Sequence, residues 1–441
     1  MSADRADGEV SPLAEIERAV QERAKDAALD VAAPGGEARL RALIAEEVRH
    51  WGDEYRRGRR PVDFADPDAI ASRAFNNLAR YGPLTGLLAD DDVWEVMVNA
   101  PDTIFVRRHE RPSGYHDEVF HDDDHVVRTL TKLLDDASSA HRTLDPAEGL
   151  QDAQLDDGAR VHVVHGDLAR GGHMLVNIRR FTRVPFRNLD ELVDRDMLSR
   201  QVATLLRACV RARCSVVFAG PPGAGKTTLL SCTVGEVDPR LRVVVAEEVF
   251  EADLPLPNVA QMQTRPARGE RRGVDLRLLV AGFLRMAPDV AIVGEVRDRE
   301  ALPLLLTLSS GITGYTTIHA GSARQALTRL RFVCQLGDTP GGLPVSALNS
   351  LVAENVDVVV QCARGPDRPQ VMEVVAVEEL AGGLDATQFT VTELFGRRGH
   401  DQPLLWSGQV PERLTRKLAA VGADIRPLLS DSPGLGPGAG A

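Results

Sequence analysis

The sequence predicts an α/β protein whose main parallel sheet follows a smaller α+β domain and a set of N-terminal helices. Three observations carry that prediction. From Met197 to about Val377, apolar β-branched runs alternate with helical stretches, the pattern of a parallel sheet covered by helices. Residues Gly220-Pro221-Pro222-Gly223-Ala224-Gly225-Lys226-Thr227-Thr228 stand between one such run and one such helix. Between Leu78 and Arg180 the texture is different, with short strand-like segments set among polar turns.

The elements follow in order. Residues 1–60 are charged and Ala-rich, with Leu13, Ile16 and Val20, then Leu40, Leu43, Ile44 and Val48, at helical spacing. Two helices split at Pro34-Gly35-Gly36 are expected, in a partly mobile N-terminal segment. Residues 61–181 form the α+β domain, with strands at Trp94–Val98, Thr103–Val106, Val161–Val164 and Met174–Ile178. Residues 182–194, with Pro185 and polar neighbours, read as a linker. Residues 195–380 form the α/β domain, with strands at 215–219, 242–246, 290–293, 315–319, 357–361 and 372–376. A small C-terminal appendage, 381–431, and a disordered Pro/Gly-rich tail, 432–441, complete the chain.

Composition narrows the function classes. The 441 residues carry 43% hydrophobic content, ordinary for a globular protein. A formal charge of −12 with only 4% aromatic residues argues against bulk nucleic-acid binding. The five cysteines, Cys209, Cys214, Cys232, Cys334 and Cys362, form no CxxC pair, which suits a reduced, cytoplasmic protein with no zinc site. The N-terminus has no apolar stretch of the kind a secretory signal needs. The longest uncharged run, Ala301–Ile318, contains Pro303, serines, threonines and two glycines, and reads as helix, turn and strand, not as a membrane span. The metal-like spacing of His121 and His125 reads as an acidic surface turn.

The chemistry concentrates at strand ends. Gly220–Thr228 matches GxxxxGK[ST], and the strand before it and helix after it are the context that gives this motif meaning. Backbone N–H groups of such a turn and the following helix N-terminus attract anions. Lys226 adds a point charge for the β/γ-phosphates of a nucleoside triphosphate, and Thr227 a hydroxyl for Mg²⁺. Two later strands end in Glu247-Glu248-Val249-Phe250-Glu251 and in Gly294-Glu295-Val296-Arg297. Ligands of open α/β sheets bind outside the strands' carboxyl ends, so Glu247 and Glu295 are expected beside the turn. One would orient or deprotonate water and one would hold the Mg²⁺ shell. His319, ending a further strand, is placed to donate to the γ-phosphate.

Taken together, GPPGAGKTT, AEEVFE, PDVAIVGEVRD and GYTTIHAGSARQALTRL resemble the Walker A, Asp, atypical Walker B and His boxes of the secretion ATPases of type II and type IV machines. Within that superfamily the chain is most similar to the CpaF/TadA group, which powers assembly of tight-adherence (Flp) pili. The supporting segments are Tyr81-Gly82-Pro83-Leu84, Leu87-Leu88-Ala89-Asp90, Trp94–Asn99, Gln263–Pro266 and Leu284–Asp289, and the likeness spans about residues 75–425. It implies a RecA-like P-loop domain behind a PAS-like α+β domain, with ATP and Mg²⁺ as ligands and Glu295 reaching Mg²⁺ through water. It also implies a cytoplasmic homo-hexamer, recruited by inner-membrane platform proteins to the inner face of the cell membrane and not acting on nucleic acid. Arginines from the N-terminal domain complete such sites, which carries over to Arg160 and Arg179, with Arg180 and Arg142 behind them. The Arg-rich stretch Arg265–Arg277 then reads as a loop facing a neighbouring subunit or the ring interior. A conjugation-type export ATPase, a RecA-like nucleic-acid motor and a non-hydrolysing scaffold are the alternatives. The chain departs from the family pattern at Glu248, where an Asp is usual, at Pro221, Pro222 and Ala224 in the turn, and at Gly321, where an Asn is usual.

Overall fold

The computed structural model of the chain describes residues 11–109, 111–137, 144–180, 186–265, 267, 272–336, 343–365, 368–380 and 388–429. It divides into two compact units, Met1–Thr182 and Arg183–Ala441. The tail 432–441 and Arg142 lie outside the described residues.

The first unit opens with α1 (Pro12–Asp26), α2 (Gly36–Arg56) and α3 (Pro67–Ala79). Ser11 and Asp66 cap α1 and α3 by accepting the N–H of Ala14 and Ala69, each with Pro in the first turn. The apolar stripes read in 1–60 meet those of α3, so Ile16, Val20, Ile44, Trp51 and Phe75 share one core. The helical region therefore runs past residue 60, because Phe75 is needed to close it.

After α4 (Leu84–Ala89) come β1 (Val93–Ala100), β2 (Thr103–Arg108), β3 (Gly114–Tyr115), α5 (Asp123–Asp136), β4 (Leu150–Gln154), β5 (Arg160–Val164) and β6 (Leu175–Arg179). The six strands form an antiparallel sheet in the order β3-β2-β1-β6-β5-β4. Val96, Val98, Val161, Val163, Val176 and Ile178 alternate onto the face that α5 covers with Val126, Leu130 and Leu133. Arg160 and Arg179 fall on the opposite face.

The second unit contains α6 (Leu189–Asp194), α7 (Arg200–Arg211), β7 (Val216–Ala219), α8 (Lys226–Val234), β8 (Val243–Glu247), β9 (Val259–Gln263), α9 (Leu276–Ala281), β10 (Val290–Val296), α10 (Ala301–Leu308), β11 (Thr313–Ile318), α11 (Ala323–Gln335), α12 (Val345–Asn355), β12 (Val358–Arg364), β13 (Pro369–Val377), β14 (Val391–Gly396), β15 (Leu405–Trp406), α13 (Glu412–Ala420) and α14 (Ile425–Leu429). Its nine strands run β15-β14-β13-β12-β7-β11-β10-β8-β9. From β12 to β9 the pairing is parallel, with an antiparallel extension β13-β14-β15. This is the expected RecA-like α/β core, its central strands buried on both faces. Ala301–Ile318 forms α10, a turn and β11, and among the described residues no helix is long and apolar enough to cross a membrane.

Two boundaries differ from expectation. Residues 189–194 of the expected linker are helical, and Leu189 and Leu192 are buried in the main core. The expected C-terminal appendage is part of the second unit: β14 and β15 extend its sheet, and Leu394, Phe395, Leu414, Leu418 and Ile425 pack into the same core. Buried Asp357 anchors this docking, accepting Ser215 N–H at 2.8 Å, Arg413 Nη2 at 3.0 Å and Lys417 Nζ at 2.8 Å.

Candidate active site

The turn between β7 and α8 is shaped by its glycines. Gly223 and Gly225 have φ of 72° and 79°, the left-handed region where a side chain is strained. A Cβ on Gly220 would lie 2.3 Å from the Cys362 carbonyl oxygen, so the turn packs directly on β12. The variant positions fit this frame: Pro221 and Pro222 are exposed, and Ala224 is buried in the core. The result is a backbone cradle ahead of a nine-residue helix, a fit for a phosphate chain.

Lys226 opens α8 and is only 7% exposed. Its Nζ donates to the Pro221 carbonyl at 3.1 Å and lies 3.2 Å from His319 Nδ1. That nitrogen is also 3.1 Å from the Gly220 carbonyl oxygen. A neutral ring accepts from the lysine there, whereas a protonated ring donates to the carbonyl. In either state Nε2–H faces Glu295 Oε1 at 2.8 Å. The turn, the strand carrying His319 and the strand carrying Glu295 are thus joined by one chain of polar contacts.

Arg297 closes that chain. Its guanidinium donates to both Glu295 oxygens, Nε to Oε1 at 2.7 Å and Nη2 to Oε2 at 2.9 Å, and through Nη1 to Glu248 at 2.7 Å. Burial opposes ionisation of Glu295, but hydrogen bonds from His319 and Arg297 outweigh it and hold the carboxyl well below the usual carboxylate range. Hydrogen bonding to Glu295 in turn raises the already high pKa of Arg297. The turn bearing Arg297 is held by Glu300, 5% exposed, whose Oε1 accepts the N–H of Arg297 and Asp298 at 2.5 and 2.9 Å.

Glu247 ends β8 and is 2% exposed. Its Oε1 accepts the backbone N–H of Glu251 at 3.1 Å and of Ala252 at 2.9 Å. It is therefore tied to the loop that follows it, in addition to lying near β10. Glu251 is the acid of this segment that reaches the phosphate turn, with Oε2 3.5 Å from Thr227 Oγ1. Thr228 continues α8 behind Thr227.

Sequence reasoning missed the parts played by Glu251 and Arg297. Two-residue spacing along a strand end would have placed Arg297 on the side of Glu295. Glu251 sits in an irregular loop, where no periodic signal exists.

Arg160 and Arg179 are cross-strand partners on β5 and β6, and Arg179 also faces Glu95 on β1. Both are partly exposed. Arg180 has a different occupation: Nη1 donates to the carbonyls of Leu87 (3.3 Å), Asp90 and Val93 (3.1 Å), closing the end of α4. It is committed to holding its own domain together. His121 bonds Glu17 through Nε2 at 2.9 Å, and no metal-binding cluster occurs among the described residues. Of the Arg-rich stretch, Arg265 pairs with Val274 and donates to the Arg272 carbonyl, while 266 and 268–271 lie outside the described residues.

Comparison with known proteins agrees with these motifs. A family profile described as "Type II/IV secretion system protein" matches residues 77–392. A putative conjugal transfer protein of Mycobacterium tuberculosis is 32% identical over 319 residues, covering 70% of this chain and 88% of that protein. Type IV secretion system protein PtlH of Bordetella pertussis is 32% identical over 328 residues, covering 68% of this chain and 93% of that protein. Among solved structures, the VirB11 ATPase from the Brucella suis type IV secretion system is 26% identical, over 66% of this chain and 94% of that one, with a TM-score of 0.35. The profile match and the two relatives lead to one conclusion: the chain belongs to the type II/IV secretion system protein family.

Proposed function

We propose that this protein is an ATP-hydrolysing, ring-forming motor that energises assembly of a Flp or type IV-like pilus, or moves substrates through a type II/IV secretion machine. The observation that carries the reading is the contact chain from Lys226 through His319 to Glu295 and Arg297 at the phosphate turn. Lys226 and the turn's N–H groups would hold the β/γ-phosphates. Thr227 would hold Mg²⁺ directly, and Glu295 through water. Bound Mg²⁺ supplies positive charge against the phosphoryl oxygens. Glu295, kept ionised by His319 and Arg297, also has the charge needed to orient the attacking water. His319 would exchange its contact with Lys226 for one to phosphate. Arg160 and Arg179 would add positive charge from the first unit, within one chain or from a neighbour. A homo-hexamer acting at inner-membrane platform proteins on the cytoplasmic face follows from the same reading. A conjugation-type export ATPase is the second reading, favoured by the names of the relatives at 32% identity.

Steady-state phosphate release tests the chemistry. The wild-type protein should hydrolyse ATP only with Mg²⁺ present. Lys226→Ala should lose hydrolysis and most nucleotide binding, and Glu295→Gln should bind ATP without turning it over. Near-normal turnover in a folded Lys226→Ala protein refutes the phosphate-turn assignment.

A further inference from the structure

We infer that Gln370 is a positioning residue for the phosphate turn: with Asp196, His400 and Arg397 it pins the loop 195–198 and the start of β13 against Gly225. The nucleotide-binding part of this inference rests on the reading above; the packing part does not.

Gly225 takes its left-handed backbone beside a filled wall. A Cβ built on it would lie 2.9 Å from Met197 Cε and 3.2 Å from Pro369 Cβ, so these two side chains back the turn on that side. Met197 is 5% exposed, and its backbone is tied in two directions. Its N–H donates to the Leu192 carbonyl at 2.9 Å, at the end of α6, and its carbonyl accepts the Val371 N–H at 2.7 Å. Gln370 therefore stands between the residue that touches Gly225 and the residue that holds Met197.

Gln370 is 2% exposed, and both ends of its amide have partners. Nε2 donates to Asp196 Oδ2 at 3.1 Å and lies 3.4 Å from the Asp196 carbonyl oxygen. Oε1 is 3.0 Å from His400 Nδ1, and an amide oxygen only accepts, so the ring carries a proton on that nitrogen. Arg397 braces the next residue, its Nε donating to the Val371 carbonyl at 3.2 Å and its Nη1 to the Gln402 carbonyl at 2.9 Å. Asp196 has φ of 54°, a conformation that Asp accepts more readily than most residues. Its carboxylate also meets Arg368 Nη2 at 2.9 Å, but at 55% and 54% exposure that ion pair adds little. The buried amide is the stronger clamp, because a desolvated polar group paired at both ends fixes one arrangement of its neighbours. Residues 397–402, beyond the boundary at which the sequence suggested a separate appendage, thus support the phosphate turn through Gln370.

ADP titration of the full-length protein with Mg²⁺, run beside thermal unfolding and hydrogen–deuterium exchange over residues 220–228, tests the inference without relying on hydrolysis. Gln370→Leu keeps much of the side chain's bulk and leaves Asp196 and His400 unjoined. It should weaken ADP binding about tenfold, since a cradle that is no longer pre-ordered must be ordered at the expense of binding free energy. Exchange over 220–228 should accelerate at least about threefold. Asp196→Asn keeps an accepting oxygen and tolerates the left-handed φ, so ADP affinity should stay within about threefold of wild type. Asp196→Ala keeps neither and should behave like Gln370→Leu. A lowered Tm with ADP affinity and exchange unchanged in Gln370→Leu marks the cluster as structural only and overturns the inference; so does Asp196→Asn if it is as impaired as Gln370→Leu. Should Gln370→Leu fail to fold, Met197→Ala decides: it removes the methyl group against Gly225 and should weaken ADP binding in the same way, and wild-type affinity there overturns the inference. A wild-type protein that binds no ADP refutes the nucleotide reading instead, and exchange over 220–228 still decides the clamp.

Discussion

Replacing Arg297 with Ala isolates what the contact network contributes to catalysis. Arg297 touches both acidic motifs, with two parallel hydrogen bonds to Glu295 and one to Glu248. Hydrogen bonds between charged groups contribute about 1.5–3 kcal/mol each. The side chains are 38% and 20% exposed, so solvent screening cuts the pair's combined worth to about 1.5–3 kcal/mol. If that free energy keeps Glu295 oriented and ionised during turnover, kcat falls about 10–100-fold, one decade per 1.4 kcal/mol. The KM for ATP should move much less, since Arg297 does not contact the phosphate turn in this structure. A pH profile supplies a second readout. The folded pKa of Glu295 is depressed below its ordinary 4.5, so its charge persists above that value and is lost only as pH falls through the depressed one. Without Arg297, burial is opposed by His319 alone and the pKa rises. The acid limb of turnover should then move upward. Steady-state phosphate release between about pH 5 and 8 measures both. A kcat within twofold of wild type refutes the assignment.

Two further outcomes are expected. Arg179→Ala and Lys226→Ala proteins, each inactive alone, should regain part of the wild-type rate when co-assembled if the arginine acts on a neighbour's nucleotide; demonstrated co-assembly without recovery removes that idea, and normal rates for Arg160→Ala and Arg179→Ala alike remove both arginines. Asp357→Ala should destabilise the second unit by about 2–4 kcal/mol in denaturant unfolding, because it removes the buried acceptor shared by Arg413, Lys417 and the Ser215 N–H; a loss under about 1 kcal/mol would show that the remaining contacts of α13 hold it without Asp357.

The features legible in the sequence were those made by neighbours along the chain. Strand, glycine turn and helix around Lys226 are contiguous, so pattern alone located the glycine turn and five of the strands that follow it. Family resemblance, not pattern, pointed to Arg160 and Arg179; that they pair across β5 and β6 was set by the sheet. Elements whose identity depends on distant partners were read differently. Residues 189–194 looked like a linker because two leucines in a short polar stretch carry little signal, and only the core around them makes a helix there worthwhile. Residues beyond 380 looked separable because their strands are short; they are bound to the sheet by β13 and to the core by Asp357, which meets Ser215 across 142 residues. The acids divided in the same way. Sequence could say that Glu247, Glu248, Glu251 and Glu295 belong near strand ends. Which one caps a loop, which one meets Arg297 and which one faces Thr227 was decided in tertiary structure, where β8 and β10 lie side by side and Gly294 leaves a space the width of one side chain. Hydrophobic period is a local property; the roles of buried polar groups are set by partners that only folding brings within 3 Å.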